Sequence, residues 1–137
     1  MDRKDLQDLS KVRLKEATSL LNLGLCDGAY YLAGYAVECA LKACIAKTTR
    51  RYDFPDKRKV DSSHSHNLRD LVRIAGLGEA HAERVANDPG FRKNWEVVEY
   101  WSEHSRYRRH RQEAARELLG AIGDKRYGVI SWIKLQW

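Results

Sequence analysis

Arginines, with one tyrosine and one histidine among them, form the group in this sequence best suited to act on phosphate. They lie within six consecutive positions: Arg106, Tyr107, Arg108, Arg109, His110 and Arg111. Guanidinium groups match phosphate oxygens, and each neutralised phosphate releases counterions. A tyrosine ring beside them can stack on an unpaired base. Because glutamates precede and follow this group, the pattern fits either an RNA or nucleotide contact or a solvated helix start.

Histidines are the second group with chemical potential, and the sequence has five of them. His64 and His66 lie two apart in an extended segment, but no HExxH or paired Cys/His spacing accompanies them. We therefore expect neither a metal site nor a bound cofactor. His66 is expected to cap or pack against the start of the helix that follows it.

One carboxylate, Glu38, lies in the middle of the alanine-rich run 29–47, which is apolar on all sides of a helix. A buried carboxylate needs a cationic or hydrogen-bonding partner. Lys42, four residues on, is one candidate, and Arg106, reached across a bundle, is another. We predict that Glu38, Lys42 and His66 are structural, buried polar residues, with a ligand or catalytic role for Glu38 as the alternative.

The first half of the chain predicts two long helices. Apolar residues recur at three- and four-residue spacing over positions 3–24, which indicates an amphipathic helix ended by Gly24. The run 29–47 predicts a central helix that continues to about Thr49, with Asp27 accepting its free amides. A short connection makes the two helices antiparallel neighbours. Residues 51–66 carry a proline and several charges, and they predict an exposed loop.

The second half predicts shorter helices. One begins near Leu68, capped by Ser65 or Asn67 and stopped by Gly76, and another covers residues 80–86. Aromatic residues of the segment 91–110, together with one valine, are expected to pack on the bundle: Trp95, Val98, Tyr100 and Trp101. A helix resumes at about Arg111, and the apolar residues 128–133 form a final helical turn or two. Three cysteines without a CxxC pair are expected to be free, reduced and packed: Cys26, Cys39 and Cys44.

Bulk composition fits one soluble domain covering residues 1–137. The net charge of +6 favours a polyanionic partner. Glu38 and Lys42 interrupt the apolar run that is closest in length to a membrane span, and the charged start of the chain does not fit a signal peptide. We expect no membrane association and a cytoplasmic location.

The central run resembles the signature second helix of HEPN domains, the higher-eukaryote and prokaryote nucleotide-binding family. The family's YxxxxAxExxLKA core is carried here by Tyr31, Ala36, Glu38, Leu41, Lys42 and Ala43. The sequence HNLRDL at 66–71 is similar to the family's HxLxxL, and Trp101 followed by Arg106 and Tyr107 is similar to the Trp-x4-Arg-Tyr of one branch. The ending GVISWIK also resembles that branch.

This resemblance implies an all-α fold: an up-and-down bundle of four to five main helices with a short extra C-terminal helix, often a homodimer. It also implies binding of RNA or nucleotide, or docking of a minimal nucleotidyltransferase partner in a toxin–antitoxin or stress-defence context. A nuclease branch of the family carries Arg-x4-6-His late in the chain, where arginine stabilises phosphate charge and histidine moves a proton. Arg106 and His110 have three residues between them. Arg58 and His64 have five, but they lie in the loop before the third helix.

We therefore predict a non-enzymatic or weakly active binding module, in which Arg106, Tyr107 and the neighbouring arginines contact the ligand. The alternative is a metal-independent ribonuclease toxin, with Arg106 and His110, or Arg58 and His64, as the catalytic residues. A purely structural dimeric interaction module is the third possibility.

Overall fold

The computed structural model describes residues 1–48 and 64–137, so Arg58 and most of the predicted loop 51–66 lie outside the described residues. The described residues form seven α-helices, one 3₁₀ helix and no strand, which confirms the predicted all-α fold with a short C-terminal helix. The elements in chain order are α1 (Arg3–Asn22), α2 (Cys26–Lys47), α3 (Leu68–Ile74), α4 (Gly78–Asn87), α5 (Pro89–Val98), the 3₁₀ helix (Glu103–Tyr107), α6 (Gln112–Gly123) and α7 (Val129–Lys134).

Helix α2 is the centre of the bundle, as its composition predicts. It contacts α1, α3, the 3₁₀ helix, α6 and α7. Twelve of its 22 residues are buried, so neighbours cover most of its circumference. None of the described helices combines the length and hydrophobicity needed to cross a membrane.

Helix α1 packs antiparallel along α2. The buried Ser10 hydroxyl donates a hydrogen bond of 2.7 Å to the Ala36 carbonyl, while Leu20 lies against Gly28. Residue numbers therefore increase along one helix in the direction in which they decrease along the other. The turn between them contains Gly24 at φ +78°, a left-handed conformation that glycine adopts without strain. The predicted stop at this glycine is confirmed, although the last helical residue is Asn22.

The predicted role of Asp27 as the cap of α2 is wrong. The helix begins one residue earlier, at Cys26, and Leu25 occupies the cap position without a side-chain hydrogen bond. Asp27 instead lies in the first turn, and its carboxylate accepts a hydrogen bond from the backbone N–H of His110, 83 positions later in the chain. A carboxylate in the first turn also interacts favourably with the helix dipole.

Local signals place the helices of the second half. The Asn67 side chain accepts a hydrogen bond of 3.0 Å from the Asp70 N–H, which confirms the predicted cap of α3, and Gly76 follows that helix at φ +75°. Asp88 caps α5 through the Phe91 N–H, and proline occupies the first turn of that helix, where its missing N–H costs nothing.

Trp101 fixes the 3₁₀ helix to the core because it lies directly on the surface of α2. Its side chain is 3% exposed and covers Gly34, where an added Cβ would come within 2.2 Å of the indole ring. The predicted packing of Trp95, Val98 and Trp101 is confirmed. The prediction that Tyr100 packs is wrong: it is 84% exposed, since α5 ends at Val98 and its buried face does not continue to Tyr100.

We expect Gly34→Ala to lower the free energy of unfolding by about 1–3 kcal/mol, since the new methyl group would displace the Trp101 ring. Urea unfolding followed by circular dichroism measures the change. Gly120→Ala in the exposed face of α6 is the matched control, because no atom lies within 4 Å of the added carbon there. It should leave stability unchanged or raise it by up to about 1 kcal/mol, and an equal loss in both variants would refute the contact.

His81 gives the fold a dependence on pH. Its ring packs edge-on against Trp95, Phe91 and Trp132, and burial lowers its pKa from the ordinary value of 6.5. The unfolded chain therefore binds this proton more readily, so the free energy of unfolding should be highest above pH 6.5 and fall as the pH drops below it.

We expect His81→Gln to flatten that acid-side decline in unfolding experiments carried out between pH 5 and pH 8. His104→Gln serves as the control, because His104 is exposed and makes no hydrogen bond or ion pair to a described residue. An unchanged pH profile for His81→Gln would show that other groups cause the decline.

Candidate functional site

A cleft of about 420 Å³ lies where the segment before α3 meets the 3₁₀ helix. Residues 64–67 line one side and residues 101–104 line the other, and we call this the histidine cleft. It brings together three of the five histidines: His64, His66 and His104. Serines, an asparagine and Glu103 complete a polar lining around the edge of Trp101.

Glu38 lies beside the cleft and is 3% exposed at its side chain. Its Oε2 atom is 3.4 Å from the Nζ atom of Lys42, and its Oε1 atom is 2.9 Å from Nδ1 of His66. The predicted burial of Glu38 and its pairing with Lys42 are therefore confirmed. The alternative partner, Arg106, is wrong: it makes no contact with Glu38, and the second hydrogen-bonding partner is His66.

His66 bridges two carboxylates. Because an ionised carboxylate can only accept, Nδ1 of His66 carries the hydrogen bonded to Glu38, and Nε2 lies 3.3 Å from Oε2 of Glu103. The predicted structural role of His66 is therefore supported by geometry. Its predicted burial is wrong, since 44% of its side chain is exposed, and Lys42 is only partly buried at 21%.

The arginine segment, defined as Arg106, Tyr107, Arg108, Arg109 and Arg111, continues from the cleft along the chain. All five residues are exposed, and Tyr107 is 75% exposed. The Arg106 guanidinium carbon lies 4.8 Å from the centre of the Tyr107 ring, and Tyr107 contributes most to raising the pKa of Arg106. No acidic side chain forms an ion pair with these arginines within the described residues, so their charges face solvent.

His110 occupies a different environment from the other predicted catalytic residues. Its ring stacks on Tyr30 with centroids 3.8 Å apart, and its Nε2 atom lies 3.0 Å from the Ser105 carbonyl oxygen. Burial raises the pKa of Tyr30, with Arg108 opposing the change. These contacts give His110 a packing role. Among the described residues no hydrogen bond or ring contact joins it to an arginine or to His64, and its catalytic role stays a prediction.

No group of three or more metal-binding side chains within residues 1–48 and 64–137 has the geometry of a metal site. The cysteines of that part of the chain are free thiols. Cys39 and Cys44 are buried, and burial raises the pKa of each thiol to about 11, so neither is a reactive thiolate at neutral pH. Cys26 is only half-buried, so the prediction that all three cysteines are packed holds for two of them.

Glu103 and His104 are cleft residues that the sequence alone does not identify. The His64-Ser65-His66 pattern is visible in the sequence. The partners of His66 are not, because Glu38 lies 28 residues before it and Glu103 lies 37 residues after it. The resulting arrangement can hold an imidazole in one orientation, donate hydrogen bonds to an anion and move a proton. Comparison with protein-family models, curated proteins and solved structures finds no match to the chain.

The hydrogen bond between Glu38 and His66 should be measurable as a coupling energy. We expect a double-mutant cycle of Glu38→Gln and His66→Asn to give about 1–2 kcal/mol, because a buried carboxylate loses a charge-assisted bond in either variant. Urea unfolding of the four proteins provides the values. A parallel cycle of Glu38→Gln with His104→Asn should give less than about 0.5 kcal/mol, and equal couplings in the two cycles would contradict the assignment.

Proposed function

We propose that this chain is a HEPN-type helical module that binds single-stranded RNA or nucleotide through its arginine segment. One observation carries the proposal: Tyr107 is three-quarters exposed, with a guanidinium against its ring, two exposed arginines directly after it and a third after His110. A base stacked on this ring would cover it and gain stacking energy.

The geometry supports contact with phosphates more strongly than it supports a solvated helix start. Arg111 is the cap residue of α6, and Arg108 and Arg111 both have extended backbone, so the side chains of the segment do not share one helical face. Along an extended chain, successive side chains point to different sides. Such a segment can follow a flexible polyanion better than a regular helix could.

The sequence resemblance supplies the wider context of the proposal. It includes docking of a minimal nucleotidyltransferase and formation of a homodimer, and both stay predictions from that resemblance. The purely structural interaction module is the weaker reading, because it assigns no task to four exposed arginines without ion pairs to described residues.

The ribonuclease alternative gains support from one residue outside its predicted pairs. His66 is held by a buried carboxylate, an arrangement that orients an imidazole and sets its tautomer for proton transfer. Arg106 is exposed on the same 3₁₀ helix that lines the histidine cleft. Cleavage of a bound RNA would therefore depend on His66 in preference to His110.

We expect fluorescently labelled single-stranded RNA to bind with an affinity that falls as salt rises, by about 0.7 in log K per unit of log salt for each phosphate contacted. Arg106→Ala with Arg109→Ala should lower that slope by about 1.4, twice the value for a single contact. Fluorescence anisotropy at several salt concentrations measures both effects. Arg73→Ala with Arg92→Ala removes the same charge from exposed positions elsewhere and should leave the slope nearly unchanged.

Tyr107→Ala should cost about 1–3 kcal/mol of binding free energy through lost stacking. Tyr100→Ala is its matched control, since Tyr100 is equally exposed but has no arginine against its ring. Salt-independent binding, or equal losses in the two double-arginine variants, would contradict the proposal. RNA that is shortened during the assay, and stays intact with His66→Asn, would favour the ribonuclease alternative.

A further inference from the structure

The histidine cleft already contains a negatively charged group, the Glu103 carboxylate, which pairs with one of its histidines. The Glu103 carboxylate lies 3.3 Å from Nε2 of His66, so the position opposite this nitrogen accommodates a negatively charged oxygen. The side chain of Glu103 is 38% exposed, and such solvent-exposed ion pairs contribute little to stability. An anionic ligand could therefore take its place while Glu103 turns to water.

Glu38, in contrast, cannot leave. Its side chain is 3% exposed, and its two oxygens are engaged by Lys42 and His66. Glu38 therefore fixes the His66 ring and neutralises Lys42. The Nε2 atom of His66 faces Glu103, the partner that a ligand can replace. The cleft presents one anchored imidazole with a replaceable carboxylate on its open side.

Two further histidines line the same cleft. The rings of His64 and His104 line the cleft and make no hydrogen bond or ion pair to any described residue. His64 and His104 therefore hold donors that the Glu103 carboxylate does not engage, and a phosphate has three or four oxygens to offer them.

We propose that the histidine cleft binds a phosphomonoester, carried on the end of an RNA strand or on a free mononucleotide, and that Glu103 holds its place when the ligand is absent. A terminal phosphate carries nearly two charges at neutral pH and gains more from several imidazoles than an internal phosphodiester with one charge. The inference rests on the proposed binding function and adds the class of ligand.

The position of the cleft fits this role. Glu103 begins the 3₁₀ helix and Tyr107 ends it, so these two residues lie about 8 Å apart along its axis. If the terminal phosphate of a short oligonucleotide occupied the cleft, its adjacent nucleotides would reach the arginine segment. The cleft would then select chain ends, and the arginine segment would supply affinity that does not depend on them.

The test uses the whole protein and a six-nucleotide oligouridylate in three forms: unphosphorylated, 5′-phosphorylated and 3′-phosphorylated. We expect one of the phosphorylated forms to bind at least fivefold more tightly than the unphosphorylated one. His64→Asn with His104→Asn should bring that ratio to about one while leaving the unphosphorylated form within twofold of the wild-type affinity. Circular dichroism confirms that this variant is folded.

Glu103→Gln should raise the ratio at least twofold, since it removes the competing carboxylate. Glu96→Gln, an exposed charge outside the cleft, is the matched control for the general effect of losing one negative charge, and it should leave the ratio unchanged. Competition by uridine 5′-monophosphate and by inorganic phosphate distinguishes a free nucleotide from an RNA end as the source of the phosphate.

The outcomes separate the two proposals. A ratio of one for the wild-type protein with intact salt-dependent binding would overturn the cleft assignment and leave the arginine segment in place. Phosphate-dependent binding that survives loss of Arg106 and Arg109 would support the cleft alone. A ratio that is raised equally by Glu103→Gln and Glu96→Gln would contradict the place-holding role of Glu103, and absence of all binding would overturn both proposals.

Discussion

A single buried carboxylate constrains much of this structure. Glu38 lies in the central helix α2 at 2% exposure, and a carboxylate in that position is tolerated only when hydrogen-bonding partners reach it. Lys42 comes from the same helix, but His66 must be brought from a segment 28 residues later. The segment before α3 is thus tied to α2, and the 3₁₀ helix closes against it through Glu103. The two walls of the histidine cleft are therefore held together by the contacts that satisfy the Glu38 carboxylate and its partner His66.

The residues that form the core and the residues of the candidate site lie in different kinds of secondary structure. Its regular helices bury alanine, leucine, valine and tryptophan, whereas the candidate site residues lie in the irregular segments 64–67 and 101–111. Trp101 makes this possible, since its ring sits on Gly34 of α2 and holds the start of the 3₁₀ helix in the core. Rigid elements carrying functional side chains on short connections are a common arrangement for binding sites.

The sequence predicts the parts of the structure that depend on local order. The periodicity of α1, the uniform apolarity of α2 and the Asn67 cap are all readable because their partners lie within a few residues. Asp27 was assigned to its own helix because local rules favour it there, yet its partner is 83 positions away. His66 was expected to be buried for the same reason: nothing near it in sequence indicates the two carboxylates. Tyr100 and Trp101 are adjacent and both follow the end of α5 at Val98, so helical periodicity does not indicate which of them packs.

The link between Asp27 and His110 also bears on how the molecule assembles. Helices α1 and α2 are neighbours in sequence, so they can pair with little loss of chain entropy, whereas closing the contact from the α1–α2 turn to the arginine segment encloses most of the protein. A segment held by such late contacts, with most of its side chains in water, belongs to the part of a native protein that opens most readily. The arginine segment can therefore loosen and re-form on a ligand while the α1–α2 hairpin stays folded.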